Sequence, residues 1–297
     1  MKSISMMMAS AAAIVLAGCQ TVVPADEPEG LSAEAMASLE MAAESQEDAA
    51  KARYDARNPV ETLAFFEVEP GMTVVEALPG GGWYSKILIP YLGPDGQLIG
   101  AHYPDAIWAV ILPPAMQDGI PEFIARADGW AGRARDWYGD EGADIQQFKL
   151  ADGQADENAG TADVVLFIRA LHNLNRAEDQ LSTMSGSVSD AFTLLKPGGI
   201  VGVVQHRSPE DNADAWASGG AGYLKQSAVI EAFEAAGFEL VATSEINANP
   251  LDTPTEQDIV WRLPPSLNGT EEGTPERAAV MAIGESDRMT LKFRKPA

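Results

Sequence analysis

The chain has 297 residues, of which 44 are acidic and 20 are basic, so its formal net charge is −24. Such a surface repels phosphate backbones, and no basic patch interrupts it, so we expect no nucleic-acid partner. Hydrophobic residues make up 46% of the chain, which excludes a disordered protein and suffices for the core of one α/β domain.

The N-terminus has the pattern of a bacterial lipoprotein signal peptide. Lys2 precedes an apolar run, residues 6–16, that is too short to span a bilayer and leads into Leu-Ala-Gly-Cys, which ends at Cys19. We therefore predict a signal peptide over 1–18 and lipidation at Cys19, which anchors the protein to a membrane without a spanning helix. Gln20 after the cysteine favours the periplasmic face of the outer membrane. The alternative is a buried helix with an incidental cysteine.

Three further segments follow the signal peptide. Residues 19–30 contain Pro and acidic residues without periodicity, which predicts a flexible tether. Residues 31–57 are rich in Ala, Glu and Met and are predicted to be helical, either packed on the main domain or spacing it from the membrane. The main domain is predicted over 58–297.

Within this domain, predicted strands and helices alternate. The predicted strands are 72–77, 97–101, 145–150, 162–168, 200–204, 238–246 and 289–295, and the predicted helices are 58–67, 83–91, 177–195 and 225–236. Alternation predicts crossover connections, a mostly parallel seven-stranded sheet and helices on both faces. No helix separates the last two strands, so we expect them to pair antiparallel.

A glycine turn links the first strand to the next helix. Pro79, Gly80, Gly81 and Gly82 follow a strand that contains Glu76 near its end. Glycines let a backbone approach a ligand, and a helix N-terminus offers free N–H groups. The turn lacks the G-x-G-x-x-G pattern and the phosphate-loop lysine, and an acid suits a ligand without phosphate. The alternative interpretation is a tight strand–helix turn without a ligand.

Beyond this turn, the chain resembles class I methyltransferases over about residues 55–297. The matching pieces are the segment 76–82, the apolar strand 162–168, the Leu-Lys-Pro-Gly-Gly motif at 195–199 and the closing antiparallel pair. More narrowly, it is similar to a group of predicted, poorly characterised exported bacterial methyltransferases. That similarity covers 59–66, 79–84, 169–174, 204–207, 263–267 and 287–296. The resemblance implies a Rossmann-like fold and an S-adenosylmethionine cofactor.

Some positions depart from the family pattern. Leu78 stands where the family has its first loop glycine, and His102 stands where an acid usually grips the ribose hydroxyls. Either Asp105 replaces that acid, or the contact of an acid with the ribose hydroxyls is lost. Asp152 matches the acid that commonly meets the adenine amine. The resemblance thus implies a cofactor set of Glu76, Pro79 to Gly82, Asp105, Asp152 and Arg169.

Polar residues follow the fourth and fifth strands. Two of the three histidines of the chain, His172 and His206, lie at these strand ends and are the candidate general bases. Arg169 and Arg207 follow the same strands and can hold a substrate carboxylate. The alternative is that these groups cap loops and satisfy backbone carbonyls.

Other residues complete the predicted site. Asn173 and Tyr84 join Arg207 as candidate substrate-binding residues, and no His, Cys, Asp and Glu spacing predicts a metal site. The segment 208–223 is a lid or an ordinary mobile loop, and the Pro-containing segment 249–285 is a candidate wall of the pocket.

The sequence thus leads to two hypotheses on function. The first is adenosylmethionine-dependent methyl transfer to a small-molecule acceptor by an exported lipoprotein. The second is an exported lipoprotein that keeps the methyltransferase fold and binds a small ligand without turnover. Export separates the protein from the cytoplasm, where adenosylmethionine is made, and this keeps the second hypothesis open.

Overall fold

The structure, a computed structural model, describes residues 30–297. The predicted signal peptide, the lipidation at Cys19 and the predicted tether up to residue 29 lie outside the described residues.

The centre of the fold is a largely parallel β-sheet. Its strands are β1 Thr73–Ala77, β2 Gln97–His102, β3 Asp144–Lys149, β4 Ala162–Ile168, β5 Leu195–Ser208, β6 Leu224–Lys225, β7 Glu239–Ser244 and β8 Arg288–Arg294. The order is β3-β2-β1-β4-β5-β8-β7, and the short β6 pairs with the end of β5. β8 runs antiparallel to both β5 and β7, whereas β1 to β5 pair in parallel. The predicted sheet and its closing antiparallel strand are confirmed.

Helices cover the sheet on both sides. Their bounds are α1 Ala33–Glu44, α2 Asp48–Lys51, α3 Tyr54–Arg57, α4 Pro59–Phe65, α5 Ser85–Leu92, α6 Trp108–Ile111, α7 Ile120–Asp128, α8 Trp130–Tyr138, α9 Leu171–Asn175, α10 Glu178–Leu181, α11 Thr183–Leu194, α12 Gln226–Ala235 and α13 Pro275–Ile283. Neighbouring strand residues bury into opposite cores: Val74 packs in the cluster that contains Leu88, and Val75 in the cluster that contains Phe233. Because both faces of the inner strands are buried, their sequences are continuously apolar.

The segment before residue 58 packs on the domain. α1 buries Leu39, Ala42 and Ala43 in the same cluster as Leu63 of α4 and Ile87 of α5. The segment therefore contributes to the domain core, which decides between the two alternatives that the sequence left open.

Three local features differ from the predictions. The helix predicted over 177–195 is interrupted at Ser182, whose φ of 51° is left-handed. The fifth strand starts at Leu195 rather than at 200, because Leu195 pairs with Ala162 before a register shift. Between β2 and β3 the chain forms α6, α7 and α8, for which the sequence patterns gave no prediction.

Among residues 30–297, no helix combines the length and the apolar character that crossing a membrane requires.

Candidate functional site

The glycine turn lies at the carboxyl end of β1. A Cβ at Gly82, whose φ is +79°, would lie 2.2 Å from the indole of Trp137, so this position accepts only glycine without rearrangement. A Cβ at Gly81 would meet no heavy atom within 4 Å. Gly81 and Gly80 line two neighbouring cavities, so a side chain at Gly81 would enter the space where a ligand binds.

The two cavities meet at the turn. The larger chamber has a volume of about 530 Å³ and the smaller chamber about 290 Å³. Both are lined by Leu78, Gly80, Gly81, Arg169 and Asn173. One elongated ligand can therefore occupy both chambers and pass over the turn.

The two strand-end histidines lie together in the larger chamber. The ring centroids of His172 and His206 are 5.2 Å apart, and both residues line this chamber with Pro79 and Gly81. Burial lowers the pKa of His172 to about 4. Burial also lowers the pKa of His206 well below its usual value, and a charge on His172 lowers it further. Both rings are therefore neutral at pH 7 and can accept a proton.

Gln205 fixes the tautomer of His172. The amide oxygen of this fully buried side chain lies 3.2 Å from Nδ1 of His172 and also accepts from the His172 backbone N–H at 3.3 Å. The Gln205 amide nitrogen donates to the carbonyl of Gly222 at 3.1 Å, which sets the orientation of the amide. Since an amide oxygen only accepts, Nδ1 of His172 carries the proton and Nε2 keeps its lone pair.

His206 has a different partner. Its Nδ1 lies 2.6 Å from the hydroxyl of Ser286, which is buried. A hydroxyl both donates and accepts, so this contact permits either tautomer of His206. Of the two candidate bases, His172 is therefore the one whose free nitrogen the structure defines.

Arg169 lies at the junction of the two chambers. Its φ is 56°, which is strained for a residue with a side chain, and its backbone N–H donates to Val204 at 2.6 Å. Within residues 30–297, no group accepts a hydrogen bond from the buried Nε of its guanidinium. Burial lowers the pKa of Arg169, and the positive charge of Arg288 lowers it further.

Aromatic rings form the smaller chamber. The rings of Trp108 and Phe123 stack with centroids 5.0 Å apart, and Tyr103 meets Trp108 edge-on at 4.8 Å. His102 and Trp130 line the same chamber, and burial lowers the pKa of His102 to about 4. The neutral His102 ring and the indoles offer flat surfaces and hydrogen-bonding nitrogens to a planar heterocycle.

Unpartnered polar atoms concentrate in these chambers. Six buried side-chain nitrogen or oxygen atoms in the described part of the chain have no hydrogen-bond partner. Four of them belong to residues that line the chambers: Trp83, His102, Trp130 and Arg169. Buried polar groups are normally satisfied, so this concentration indicates a site for a polar ligand.

Comparisons with known proteins give only distant structural similarities. No protein-family profile and no curated protein matches the sequence. The solved structure of the [4+2]-cyclase SpnF is 16% identical, with 82% of this chain and 81% of that chain covered and a TM-score of 0.45. A SAM-dependent methyltransferase from Aquifex aeolicus is 15% identical (70% and 93% covered, TM-score 0.42). The 1,6-didemethyltoxoflavin-N1-methyltransferase of Burkholderia thailandensis, solved with bound 1,6-didemethyltoxoflavin and S-adenosylhomocysteine, is 14% identical (92% and 94% covered, TM-score 0.44).

The strand order decides the fold class. The path β3-β2-β1-β4-β5-β8-β7 is parallel except for β8, and a mostly parallel sheet with a closing antiparallel strand is what the sequence resemblance implies. The fold is that of the class I methyltransferases. Because structural similarity at this level says nothing of activity, the function has to be argued from the site.

Several predicted residues line the chambers. Pro79, His172 and His206 line the larger one, and Gly80, Gly81, Arg169 and Asn173 line both. The segment 249–285 also walls the larger chamber, as predicted, through Val260, Trp261, Leu263, Pro264, Pro265, Ser266 and Glu285.

Two predicted residues at the turn have structural contacts instead. The buried Glu76 accepts a hydrogen bond from Ser85 at 2.5 Å, and burial raises its pKa to about 7. It does not line either chamber, and its contact with Ser85 ties the end of β1 to the start of α5. Its predicted place in the cofactor set stays a prediction. Gly82 likewise lies outside the lining and packs against Trp137.

The two predicted cofactor aspartates also lie outside the chambers. Asp105 is half-exposed and forms an ion pair with Lys149 at 2.7 Å. Asp152 is exposed and accepts from Gln154 at 3.1 Å. Neither aspartate lines a chamber, and their predicted roles on the cofactor stay predictions.

Tyr84 and Arg207 are not in the chambers either. The Tyr84 hydroxyl donates to the carbonyl of Arg57 at 3.3 Å, and its neighbour Trp83 lines the larger chamber instead. Arg207 is held by Asp287 at 2.8 Å and Glu245 at 2.7 Å, outside the larger chamber. The predicted substrate-binding roles of both residues are therefore wrong for these chambers.

The predicted lid is packed against the domain. A Cβ on Gly219 would lie 2.2 Å from the His172 carbonyl, so this part of 208–223 contacts α9 closely. Trp216 stacks on Tyr223 with centroids 5.3 Å apart. The segment packs against the backbone of His172 and does not line either chamber.

Sequence reasoning missed other lining residues. Gln46 and Ala50 enter the larger chamber from the N-terminal segment, and Lys86 and Ser286 line it as well. These residues reach the larger chamber only because segments that are distant in sequence pack together. Within residues 30–297, no group of three or more His, Cys, Asp or Glu side chains is placed to hold a metal ion.

Proposed function

We propose that the protein transfers a methyl group from S-adenosylmethionine to a small-molecule acceptor. One observation carries the proposal: an aromatic chamber and a chamber with two neutral histidines meet over the glycine turn of a class I methyltransferase fold. The cofactor, when bound, supplies a methyl group on a positively charged sulfur. An enzyme of this kind works mainly by aligning the reacting groups, helped by a base.

The residues of the smaller chamber suit an adenosine group. Trp108, Phe123 and Tyr103 offer aromatic faces to a purine. The unpartnered Nε2 of His102 and Nε1 of Trp130 can meet its polar edge or the ribose. A neutral histidine thus takes the position of the usual ribose-binding acid, and it offers a single hydrogen bond where a carboxylate offers two.

His172 is the proposed general base. Gln205 holds the proton on Nδ1, so Nε2 is the atom that takes a proton from the acceptor. The low pKa of His172 keeps Nε2 unprotonated at neutral pH, and it also makes the ring a weak base. The proposed acceptor therefore has an acidic hydroxyl or thiol group rather than an aliphatic alcohol.

His206 limits the number of protons that the site can hold. With centroids 5.2 Å apart in a buried site, the two rings cannot both carry a proton without strong repulsion. Ser286 holds His206 at 2.6 Å and keeps it beside His172. His206 is thus a neutral neighbour that limits the site to one proton at a time.

The location of the protein is part of the proposal. The pattern up to Cys19 supports a lipid-anchored protein of the bacterial cell envelope, on the periplasmic face of the outer membrane. This location requires a supply of cofactor outside the cytoplasm.

A second candidate is a binding protein without turnover. It is favoured by His102 in place of the ribose-binding acid and by the low pKa values of the histidines. Both candidates predict binding of a nucleoside-like ligand, and only the first predicts methyl transfer.

The test is calorimetry followed by a turnover assay with the mature domain. We expect saturable binding of adenosylmethionine and adenosylhomocysteine, and formation of adenosylhomocysteine when small acidic acceptors are supplied. Binding without turnover supports the second candidate. If neither nucleoside binds at millimolar concentration, both candidates are wrong.

A further inference from the structure

Three buried or half-buried arginines contact one carboxylate at the larger chamber. Glu285 contacts Arg53 at 2.5 Å, Arg57 at 3.1 Å and Arg288 at 3.4 Å. Arg169 lines the same chamber as Glu285 and is not part of these ion pairs. Three guanidinium groups already share one carboxylate, so this region keeps an excess of positive charge in a chain whose net charge is −24.

Arg169 has no counter-ion within residues 30–297. None of the ion pairs in this part of the chain involves it, and its Nε is buried without a hydrogen-bond partner. A buried N–H group without an acceptor is costly, and the left-handed backbone at this position adds strain. Both costs are tolerated at a site where a ligand provides the missing charge.

Arg207 provides the contrast. It lies in the last residues of β5, the strand beside β4, whereas Arg169 comes directly after β4. The guanidinium of Arg207 contacts the carboxylates of both Glu245 and Asp287. One strand-end arginine is thus fully paired by the protein, and the other is unpaired and lines both chambers.

We propose that Arg169 anchors the acceptor through an anionic group, a carboxylate or a phosphate, in the larger chamber. The inference rests on the proposed function for the presence of two ligands in one site. Lys86 lines the same chamber and adds a positive charge. A planar guanidinium binds either anion with paired hydrogen bonds. The carboxylate of the cofactor is a second source of such an anion, and the experiment separates the two.

The experiment compares wild type with Arg169→Met, Arg169→Lys and the control Arg207→Met by calorimetry and thermal unfolding. The nucleoside probes are adenosylhomocysteine and methylthioadenosine, which lacks the amino-acid part. The anion probes are benzoate and inorganic phosphate, and each anion is titrated into protein that already contains adenosylhomocysteine. We expect Arg169→Met to weaken the binding of at least one anion by about tenfold or more, and Arg169→Lys to weaken it less. Affinity for both nucleosides should stay within about threefold of wild type.

Thermal unfolding gives a readout that is independent of turnover. Without an anion, Arg169→Met should unfold at a temperature equal to or above that of wild type, because the variant lacks an unpaired buried charge. Addition of the binding anion should raise the unfolding temperature of wild type and of Arg207→Met, but not of Arg169→Met.

Three outcomes overturn the inference. The first is loss of adenosylhomocysteine binding in Arg169→Met while methylthioadenosine still binds, which assigns Arg169 to the cofactor carboxylate. The second is anion binding that is equal in wild type and Arg169→Met, and the third is no anion binding to wild type. If no nucleoside binds but an anion binds through Arg169, the proposed function fails while the anion site stands; the anions are then titrated alone.

Discussion

Nδ1 of His172 lies 3.2 Å from the amide oxygen of Gln205, a side chain with no exposed surface. This contact leaves Nε2 as the only ring nitrogen of His172 that can accept a proton. The two residues are adjacent in the site because β4 and β5 pair in parallel, although 33 positions separate them in sequence.

Gln205→Glu should shift the pH dependence of turnover. A carboxylate at this position still accepts from Nδ1 and raises the pKa of His172, so the acid limb of the kcat profile should move to higher pH. Gln205→Leu should lower kcat without that shift, because it removes the acceptor. A Gln205→Glu profile that superimposes on wild type would show that Gln205 does not position His172.

His172→Ala should lower kcat by about a hundredfold or more, because it removes the base. His206→Ala should cost less, since its free nitrogen is not fixed. Affinity for adenosylhomocysteine should stay nearly unchanged in both variants. Equal losses in the two variants, or retained turnover in His172→Ala, would refute the assignment of His172 as base.

Glu76→Gln should stabilise the protein increasingly as the pH rises. Burial raises the pKa of Glu76 from 4.5 to about 7, so the folded state holds a proton that the unfolded state releases between these values. The contribution of Glu76 to stability is therefore complete below pH 4.5 and is lost as the pH rises through 7. The free energy of unfolding of the variant, relative to that of wild type, should rise by on the order of 1–3 kcal/mol between pH 5 and pH 8.

The measurement is urea unfolding of both proteins at the two pH values. Glu69→Gln, at an exposed position, serves as the control and should show no such trend. A Glu76→Gln difference that is constant with pH would mean that this carboxyl is not buried as described.

Gly81→Leu should abolish nucleoside binding while the fold survives. The φ of Gly81 is not positive and its Cβ has no neighbour within 4 Å, so the new side chain enters the chambers without backbone strain. Gly132→Leu is the matched control, because Gly132 also has an unobstructed Cβ but lies on exposed α8. Calorimetry with adenosylhomocysteine distinguishes them, and circular dichroism checks both folds. Wild-type affinity in Gly81→Leu would place the ligand elsewhere.

Cys19→Ser should release the protein from membranes or leave it unprocessed, since the thiol is the predicted acylation site. Fractionation of cells with immunodetection measures this. A variant that is still processed and still fractionates with membranes would exclude the lipoprotein prediction.

Sequence patterns alone predicted the sheet and the edge of the sheet at which the candidate site lies. Apolar runs such as 162–168 identify strands buried on both faces, and the turn after Ala77 marks the strand end where ligands bind in open α/β sheets. Local sequence patterns were therefore enough to predict that His172, His206 and Arg169 lie at one edge of the sheet, because parallel strands have their carboxyl ends at the same edge.

Which polar residues line the chambers follows from packing and cannot be predicted from local sequence patterns. Asp105 and Arg207 have suitable chemistry and suitable positions, yet Lys149 and Asp287 bind them outside the chambers. Those partners are distant in sequence, so no local pattern reports that the charges are already neutralised. Within residues 30–297, the buried Nε of Arg169 has no such partner, and this too is a property of the packed protein that no local pattern reports.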